Sequence, residues 1–303
     1  MLPDTTTFHR GRRRLAKEAR RAVAHAVAAW LSVLGRHGRR SVTDPDVPVV
    51  VSLTSFGDRL GRAHVAVESI ARGSTRPGRL ILWIDPDEDP SSLPPALRRL
   101  AGRGLEIRTS PWDIGPHKKY YPVVAGPDVP CLPLVTADDD VLYPRRWLAE
   151  LLATSERAPD SVVAHRVRDL LLCEDGRIAP YNSWPLARGT TPALRHFATG
   201  SSGALYPVAV QLHLRALGRG FESCCPRADD LWLHHAVITS GSSTRQVRRR
   251  SRTFLEVPGT QARALSHENT GRSANDPQAR ATYSVESLSA LRAETVTAPP
   301  SST

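Results

Sequence analysis

Apolar and polar positions alternate in blocks along the first half of the chain. Val47 to Leu53 is almost continuously apolar and β-branched, the pattern of a strand buried on both faces. A polar loop follows, Thr54-Ser55-Phe56-Gly57-Asp58, and then a helical stretch from about Ala63 to Ala71. Leu80 to Ile84 repeats the buried-strand pattern and ends at Asp85. Leu93 to Ala101 predicts a short helix opened by Pro94 and Pro95. Leu105 to Arg108 predicts a third strand, and Lys118 to Val124 a helix limited by Pro122. Leu132 to Thr136 predicts a fourth strand that leads into Asp138-Asp139-Asp140. Pro133 lacks a ladder hydrogen bond, so this strand starts after it or bulges there.

The second half is less regular. Trp147 to Thr154 predicts a helix after Pro144; Val162 to Val167 and Leu170 to Cys173 predict short strands, with Glu174-Asp175-Gly176 as a turn. Thr199 to Gly203 is a loop of small residues leading into Ala204-Leu205-Tyr206, and Asp229 to Ile238 predicts a helix with acidic residues at its start. Strand–helix alternation of this kind predicts an α/β fold. Its Rossmann-like central sheet is mostly parallel with helices on both faces, and a smaller β region follows. In such sheets the ligand lies beyond the carboxyl ends of the strands. Thr54-Ser55, Asp85 and Asp138 to Asp140 all fall there.

Composition refines this outline. The chain has 303 residues, 40% hydrophobic and 23% charged, enough for one large α/β domain with its own core. Its net charge of +11 is unevenly placed: residues 1–45 carry ten Lys or Arg against three Asp or Glu, and the remainder carries 31 against 27. A mildly basic body suits an anionic small molecule and does not call for nucleic acid. Within residues 1–45, a helix is expected from Arg12-Arg13-Arg14 to about Leu34. Ala16, Val23, Val27, Trp30, Leu31 and Leu34 recur in it at helical spacing. A basic helix with an apolar face suits peripheral contact with a membrane surface; packing on its own domain or on a partner subunit is the alternative, and both stay open. Residues 1–45 are therefore expected to be an appendage, 46–280 one folded domain, and the Ser-, Thr-, Ala- and Pro-rich residues 281–303 a disordered tail.

No run reaches the length of a membrane-spanning helix; the longest candidate, Ala22 to Leu34, is interrupted by His25 and Ser32. The start of the chain does not read as a secretory signal. Cys131, Cys173, Cys224 and Cys225 lack metal-site spacing and read as reduced thiols. The expected location is the cytoplasm, at the inner face of the cell membrane if the helix of residues 1–45 takes the membrane alternative.

Three carboxylates at the end of an apolar strand need a compensating cation. Alternation along an extended segment lets Asp138 and Asp140 share a ligand while Asp139 faces elsewhere. Carboxylate oxygens suit Mg²⁺ or Mn²⁺, which would bridge phosphate oxygens. The alternative is a solvated acidic turn before the next helix.

The run VVVSLTSFGDRL, RLILWID, GLEIR, GPHKKYYP and VTADDDVLYP resembles the nucleotide-binding half of GT-A-fold glycosyltransferases, most similar to bacterial family 2-like members. YNSW, TGSSGALYP, PRADDLW and LSHENTG extend the resemblance over roughly Val47 to Gln278. It implies a metal-dependent, inverting transfer from a nucleotide-sugar donor, UDP-linked, to a hydroxyl of a glycan or lipid-linked acceptor. It implies Asp138 and Asp140 as metal and diphosphate ligands, with His267 completing the metal shell. Thr54 and Asp85 would hold the nucleoside, and Lys118 and Lys119 would contact the nucleotide. The usual Gly-rich Arg-Asn pattern is replaced there by His117-Lys118-Lys119-Tyr120. Asp230 would be the base that takes the acceptor proton, supported by Asp229; acidic residues at a helix start are also favoured by the helix dipole alone. Asn182, Trp184, Gly200 and Gly203 are candidate acceptor contacts, Trp184 by stacking on a sugar face and the glycines by close backbone approach. Two other functions compete: a nucleotidyltransferase on a related fold, which lacks its Gly-rich phosphate loop here, and a non-enzymatic protein binding membrane or nucleic acid through its basic N-terminus.

Overall fold

The computed structural model describes residues 5–127, 131–260 and 273–297. Its centre is a seven-stranded sheet. In chain order these strands are β1 (Val50–Thr54), β2 (Arg79–Ile84), β3 (Leu105–Thr109), β4 (Leu134–Asp138), β6 (Ser161–Ala164), β9 (Ala204–Tyr206) and β10 (Ser243–Gln246). They lie in the spatial order β10-β6-β9-β4-β1-β2-β3. Pairing is parallel except around β9, which runs antiparallel to both β4 and β6. The predicted mostly parallel α/β sheet is thus what the chain forms. Pro133 falls just before β4, where its carbonyl accepts from the Val50 N–H, so the strand loses no ladder bond.

Successive side chains on β1 feed two cores. Val51 and Leu53, with Leu80, Leu82, Val135 and Ala137, pack under α2 (Leu60–Ala71), α3 (Pro95–Ala101) and α5 (Trp147–Ser155). Val50, Ile81, Trp83 and Leu134 face the other way, toward α6 (Val208–Leu217) and α8 (Asp229–Thr239). Leu53, Leu80 and Leu82 are fully buried, each worth roughly 1.5–3 kcal/mol. Burial on both faces is why these strands read as unbroken apolar runs. Ser52 sits among them by accepting from the Trp83 indole N–H at 3.1 Å.

Two small antiparallel ribbons complete the β structure: β5 (Val141–Leu142) with β11 (Leu255–Glu256), and β7 (Val167–Asp169) with β8 (His196–Ala198). The helix expected over Lys118 to Val124 is instead a 3-10 turn, Gly115–Lys119, followed by a short α-helix, Tyr121–Val124. The hairpin expected near Leu170 to Cys173 is reduced to one bridge between Leu172 and Ile178.

The helix within residues 1–45 packs on its own domain, one of the two alternatives left open. The helix α1 spans Thr5–His37, and Ala24 and Leu31 are buried against Val65, Ala66, Leu142 and Val257. Arg20 donates to the Thr253 and Phe254 carbonyls, pinning α1 beside the β5–β11 ribbon. Disorder expected from residue 281 does not match the helix Val285–Thr297. Its composition conceals Leu291, which is buried in the core, and Glu294, which accepts from the Leu194 and Arg195 N–H groups. His234 and His235 bond Tyr283 and Ser287 in the same region, which makes them packing residues. Among the described residues, no helix is long and apolar enough to cross a membrane.

Candidate active site

The carboxyl ends of β1, β2 and β4 open into a cavity of about 620 Å³. Thr54, Asp85, Lys118, Lys119 and all three aspartates of Asp138 to Asp140 line it, as do Asp229 and Asp230 from the first turn of α8. Residues separated by ninety positions meet there because β4 and α8 both point at the same edge of the sheet.

The cluster is organised around two cations. Lys119 Nζ lies 2.9 Å from Asp138 Oδ1 and 2.8 Å from Asp229 Oδ2, joining the end of β4 to the start of α8. Burial by itself would lower the Lys119 pKa, but Asp138, Asp229 and Asp230 outweigh burial and hold the ammonium charged, its pKa well above the usual lysine value. The second cation is Arg59, on the first turn after β1. Its guanidinium grips Asp139 and reaches Asp140 Oδ2 at 3.2 Å, while Ser55 donates to the Asp139 carboxylate at 2.5 Å. Burial opposes the charge on Arg59, and the paired aspartates raise its pKa in spite of it. Asp139, in the turn just after β4, is buried by these contacts.

Two carboxyls have pKa values raised toward neutrality. Burial pushes Asp140 up to about 6, with Asp138 adding to the rise and Arg59 opposing it. Burial pushes Asp230 up to about 7, reinforced by the charge of Asp229 and opposed by Lys119 and by the Gly200 N–H. That N–H donates to both Asp230 oxygens, at 3.0 and 3.1 Å. At the end of β2, Lys118 pairs with Asp85 and with Asp113 at 3.2 Å; burial still raises the Asp85 pKa.

The lysine pair is held from behind. His117 stacks on Phe221 with ring centroids 3.9 Å apart, bonds the Tyr120 hydroxyl and meets the Cys225 carbonyl, each at 2.8 Å. Burial drives its pKa down to about 4, so it is a neutral structural imidazole. Asp138 is anchored through its backbone N–H, which donates to the Tyr143 hydroxyl at 2.7 Å.

Some expected site residues fall elsewhere. Thr54 lines the cavity, but its hydroxyl donates to the Trp83 carbonyl at 3.0 Å. Trp184 is 1% exposed, packed on Tyr181 and Phe197, and has no face to offer a sugar. Asn182 is exposed beside it and does not line the cavity. Gly203 has φ +81°, and a Cβ there would stand 2.5 Å from the Trp147 ring, so this glycine serves packing. Gly200 is placed differently: a Cβ would stand 2.7 Å from Lys119 Nζ and 2.9 Å from Asp230 Oδ1. His267 lies outside the described residues.

The structure adds residues that the sequence reading passed over. Arg59 is one; Arg166 and Arg168 are two more, both lining the cavity from the start of β7. Arg166 donates to Thr199 Oγ1 at 2.8 Å, and Arg168 lies over the Tyr181 ring and donates to the Trp184 carbonyl. Their R-x-R spacing, which puts both on one side of an extended segment around buried Val167, was the available signal.

Five carboxylates, Asp138, Asp139, Asp140, Asp229 and Asp230, cluster here, and Lys119 and Arg59 pair with the first four of them. The raised Asp140 and Asp230 express the same imbalance. A hard divalent cation therefore fits the charge of the site, with Asp138 and Asp140 as oxygen donors. Among the described residues, no group of three or more His, Cys, Asp or Glu is placed to hold a metal ion by itself. A cation here would take further ligands from phosphate oxygens and water, as Mg²⁺ commonly does.

No protein-family model matches the sequence, and no curated protein matches it. Among solved structures, S. aureus TarS 1-349 is similar at 11% identity and a TM-score of 0.44, over 69% of this chain and 59% of that one. A crystal structure of S. aureus TarS is similar at 12% identity and a TM-score of 0.45, over 68% of this chain and 36% of that one. This chain thus spans less than two thirds of either.

Proposed function

We propose that the protein is an inverting, metal-dependent glycosyltransferase of the GT-A type, similar to bacterial family 2-like members. It transfers a sugar from a nucleotide-linked donor, UDP-linked in our reading, to a hydroxyl of a glycan or lipid-linked acceptor. The observation that carries this reading is the Lys119 bridge, which holds the Asp138 strand end against the Asp229-Asp230 helix start across one cavity. Donor-binding and proton-accepting carboxylates must face each other in this way if a hydroxyl is to attack one side of a sugar while a diphosphate leaves from the other.

Asp230 is suited to take the acceptor proton. A carboxyl near pKa 7 is a far better base than a solvated one, and it is still substantially ionised at neutral pH. Gly200 fixes its orientation through the two hydrogen bonds to its carboxylate. Asp229, tied to Lys119, keeps the adjacent carboxyl crowded and its affinity for a proton high. Asp138 and Asp140 would hold Mn²⁺ or Mg²⁺, which when bound supplies positive charge to a departing diphosphate. Lys118 and Asp85 line the β2 side of the cavity, where the nucleoside would lie. Arg166 and Arg168 occupy the opposite wall and suit the acceptor.

The test is nucleotide-sugar hydrolysis or transfer measured with and without Mn²⁺ or Mg²⁺. Asp138→Ala combined with Asp140→Ala is expected to abolish the metal-dependent rate. Full activity in that double variant, or pyrophosphate release from a nucleoside triphosphate in place of sugar transfer, would remove this reading.

A further inference from the structure

A second cavity lies between α1 and the β5–β11 ribbon, and its chemistry is unlike that of the first. Its volume is about 440 Å³. Four arginines line it, Arg20, Arg72, Arg145 and Arg252, and no Asp or Glu does. Its floor is apolar, formed by Val27, Leu31, Leu142 and Phe254.

The positive charge of this wall is poorly balanced. Arg72 shares Glu68 with Arg103, and Arg252 shares Glu150 with Arg248. Two carboxylates are thereby divided among four arginines. Arg20 bonds only backbone carbonyls, and the exposed Arg145 guanidinium has no hydrogen-bond or ion-pair partner among the described residues. Guanidinium groups lining one cavity with this little counter-charge attract an anion, and their paired donors match a phosphate. The apolar floor adds a requirement that inorganic phosphate cannot meet: it needs hydrocarbon to cover it.

An independent feature points the same way. On the side of α1 turned from the domain, Leu15 (67% exposed), Val23, Trp30 (57% exposed) and Val33 are all solvent-facing. At the helical repeat these four lie within a sector of about 80°. Ala19, Ala22 and Ala26 fill the same face and are exposed too. Trp30 belongs both to this stripe and to the cavity wall, where Arg72 sits 5.9 Å from its ring centroid. An apolar stripe bordered along one edge by Arg14 and Arg36 suits a helix lying in the headgroup layer of an anionic membrane. A second copy of the same helix would bring like charges together.

We propose that this cavity binds the phosphate of an anionic membrane amphiphile, with α1 lying in the headgroup layer and the arginines meeting the phosphate. The proposal stands on this cavity and on α1, and it does not depend on sugar transfer. The two cavities adjoin at Thr253 and Phe254, which line both, so a bound amphiphile lies beside the first site.

The full-length protein is titrated with dodecyl phosphate below its micelle concentration and with inorganic phosphate, followed by thermal shift. It is also sedimented with phosphatidylcholine vesicles made with and without phosphatidylglycerol. Saturable stabilisation by dodecyl phosphate is expected, together with sedimentation that requires phosphatidylglycerol. Arg145→Gln and Arg72→Gln should each weaken dodecyl phosphate binding about tenfold, the worth of one charge-assisted hydrogen bond. Arg39→Gln, which removes a charge beyond the end of α1, should leave it unchanged. Arg145 is exposed and unpaired, so its variant separates loss of binding from loss of folding. Equal weakening by Arg39→Gln would overturn the cavity in favour of diffuse charge. Equal stabilisation by inorganic phosphate would overturn the amphiphile, and stabilisation by neither compound would overturn the site.

Discussion

The carboxylates at the end of β4 and those at the start of α8 face one cavity but are held in different ways. At the strand end, every aspartate touches a cation: Asp138 meets Lys119, and Asp139 and Asp140 share Arg59. At the helix start, Asp229 meets Lys119, while Asp230 has the Gly200 N–H and no ion pair among the described residues. A carboxylate held by a cation is fixed in place and can act as a ligand. One that is buried with only a backbone donor has its pKa raised toward neutrality and can move a proton. Two chemical roles thus arise from one residue type through what surrounds it.

The strongest way to break this comparison is to remove the charge at Asp230. Asp230→Asn keeps an oxygen for the Gly200 N–H and is expected to lower kcat by about 10²–10⁴. In the wild type, kcat/KM should rise with pH through about 7 as Asp230 ionises. Stability should move the opposite way. The folded pKa of Asp230, about 7, lies above the unfolded value, so the native state keeps a proton that the unfolded chain has lost. Stability therefore falls as pH rises from about 4 to about 7. Asp140, pushed up to about 6, contributes to the same fall. Denaturation curves should show Asp230→Asn more stable than wild type above about pH 7 and no such gain below about pH 4. A variant less stable than wild type at high pH would contradict the assigned burial.

Lys119 is the shared element of both groups. Lys119→Met leaves Asp138 and Asp229 facing each other without their ammonium, a loss expected to be about 3–5 kcal/mol in urea unfolding. Adding Asp229→Asn should restore part of that stability; additive losses would mean that the two residues are not coupled.

The two glycines of the loop after β8 sharpen the contrast between packing and chemistry. Gly203→Ala collides with Trp147 at a positive φ and should lower stability by about 1–3 kcal/mol. Gly200→Ala instead presses between Lys119 Nζ and Asp230 Oδ1, so its main effect should appear in kcat. The smallest effect is expected of Asn182→Ala, within about 0.5 kcal/mol in stability and with unchanged acceptor KM. A raised KM there would bring Asn182 back to the acceptor side.

Legibility in the sequence followed the physics of each element. β1, β2 and β4 are buried on both faces, so their apolar runs and the polar residues ending them could be read directly. The sequence pattern puts Lys118 and Lys119 at the start of a helix instead of in the 3-10 turn they occupy, and the partners of their side chains could not be read. Arg59 offered no signal, because its contact with Asp139 spans eighty positions. Trp184 misled because a tryptophan that packs a core and one that stacks on a sugar look alike in one dimension. Residues 285–297 misled because a helix whose stability comes from docking a few residues, Leu291 and Glu294 among them, needs no apolar composition.

By itself, then, the sequence determined where the acidic residues sit along the chain and that a buried parallel sheet would present Asp138 to Asp140 at its carboxyl edge. Periodicity and strand-end chemistry are local, and local patterns survive in one dimension. Only the tertiary structure decided which carboxylate meets which cation, that Asp230 is left without one among the described residues, and that α1 closes an arginine-lined cavity against the ribbon. Those outcomes depend on distances and desolvation between residues far apart in the chain, and burial shifts a charge by amounts that no local pattern records.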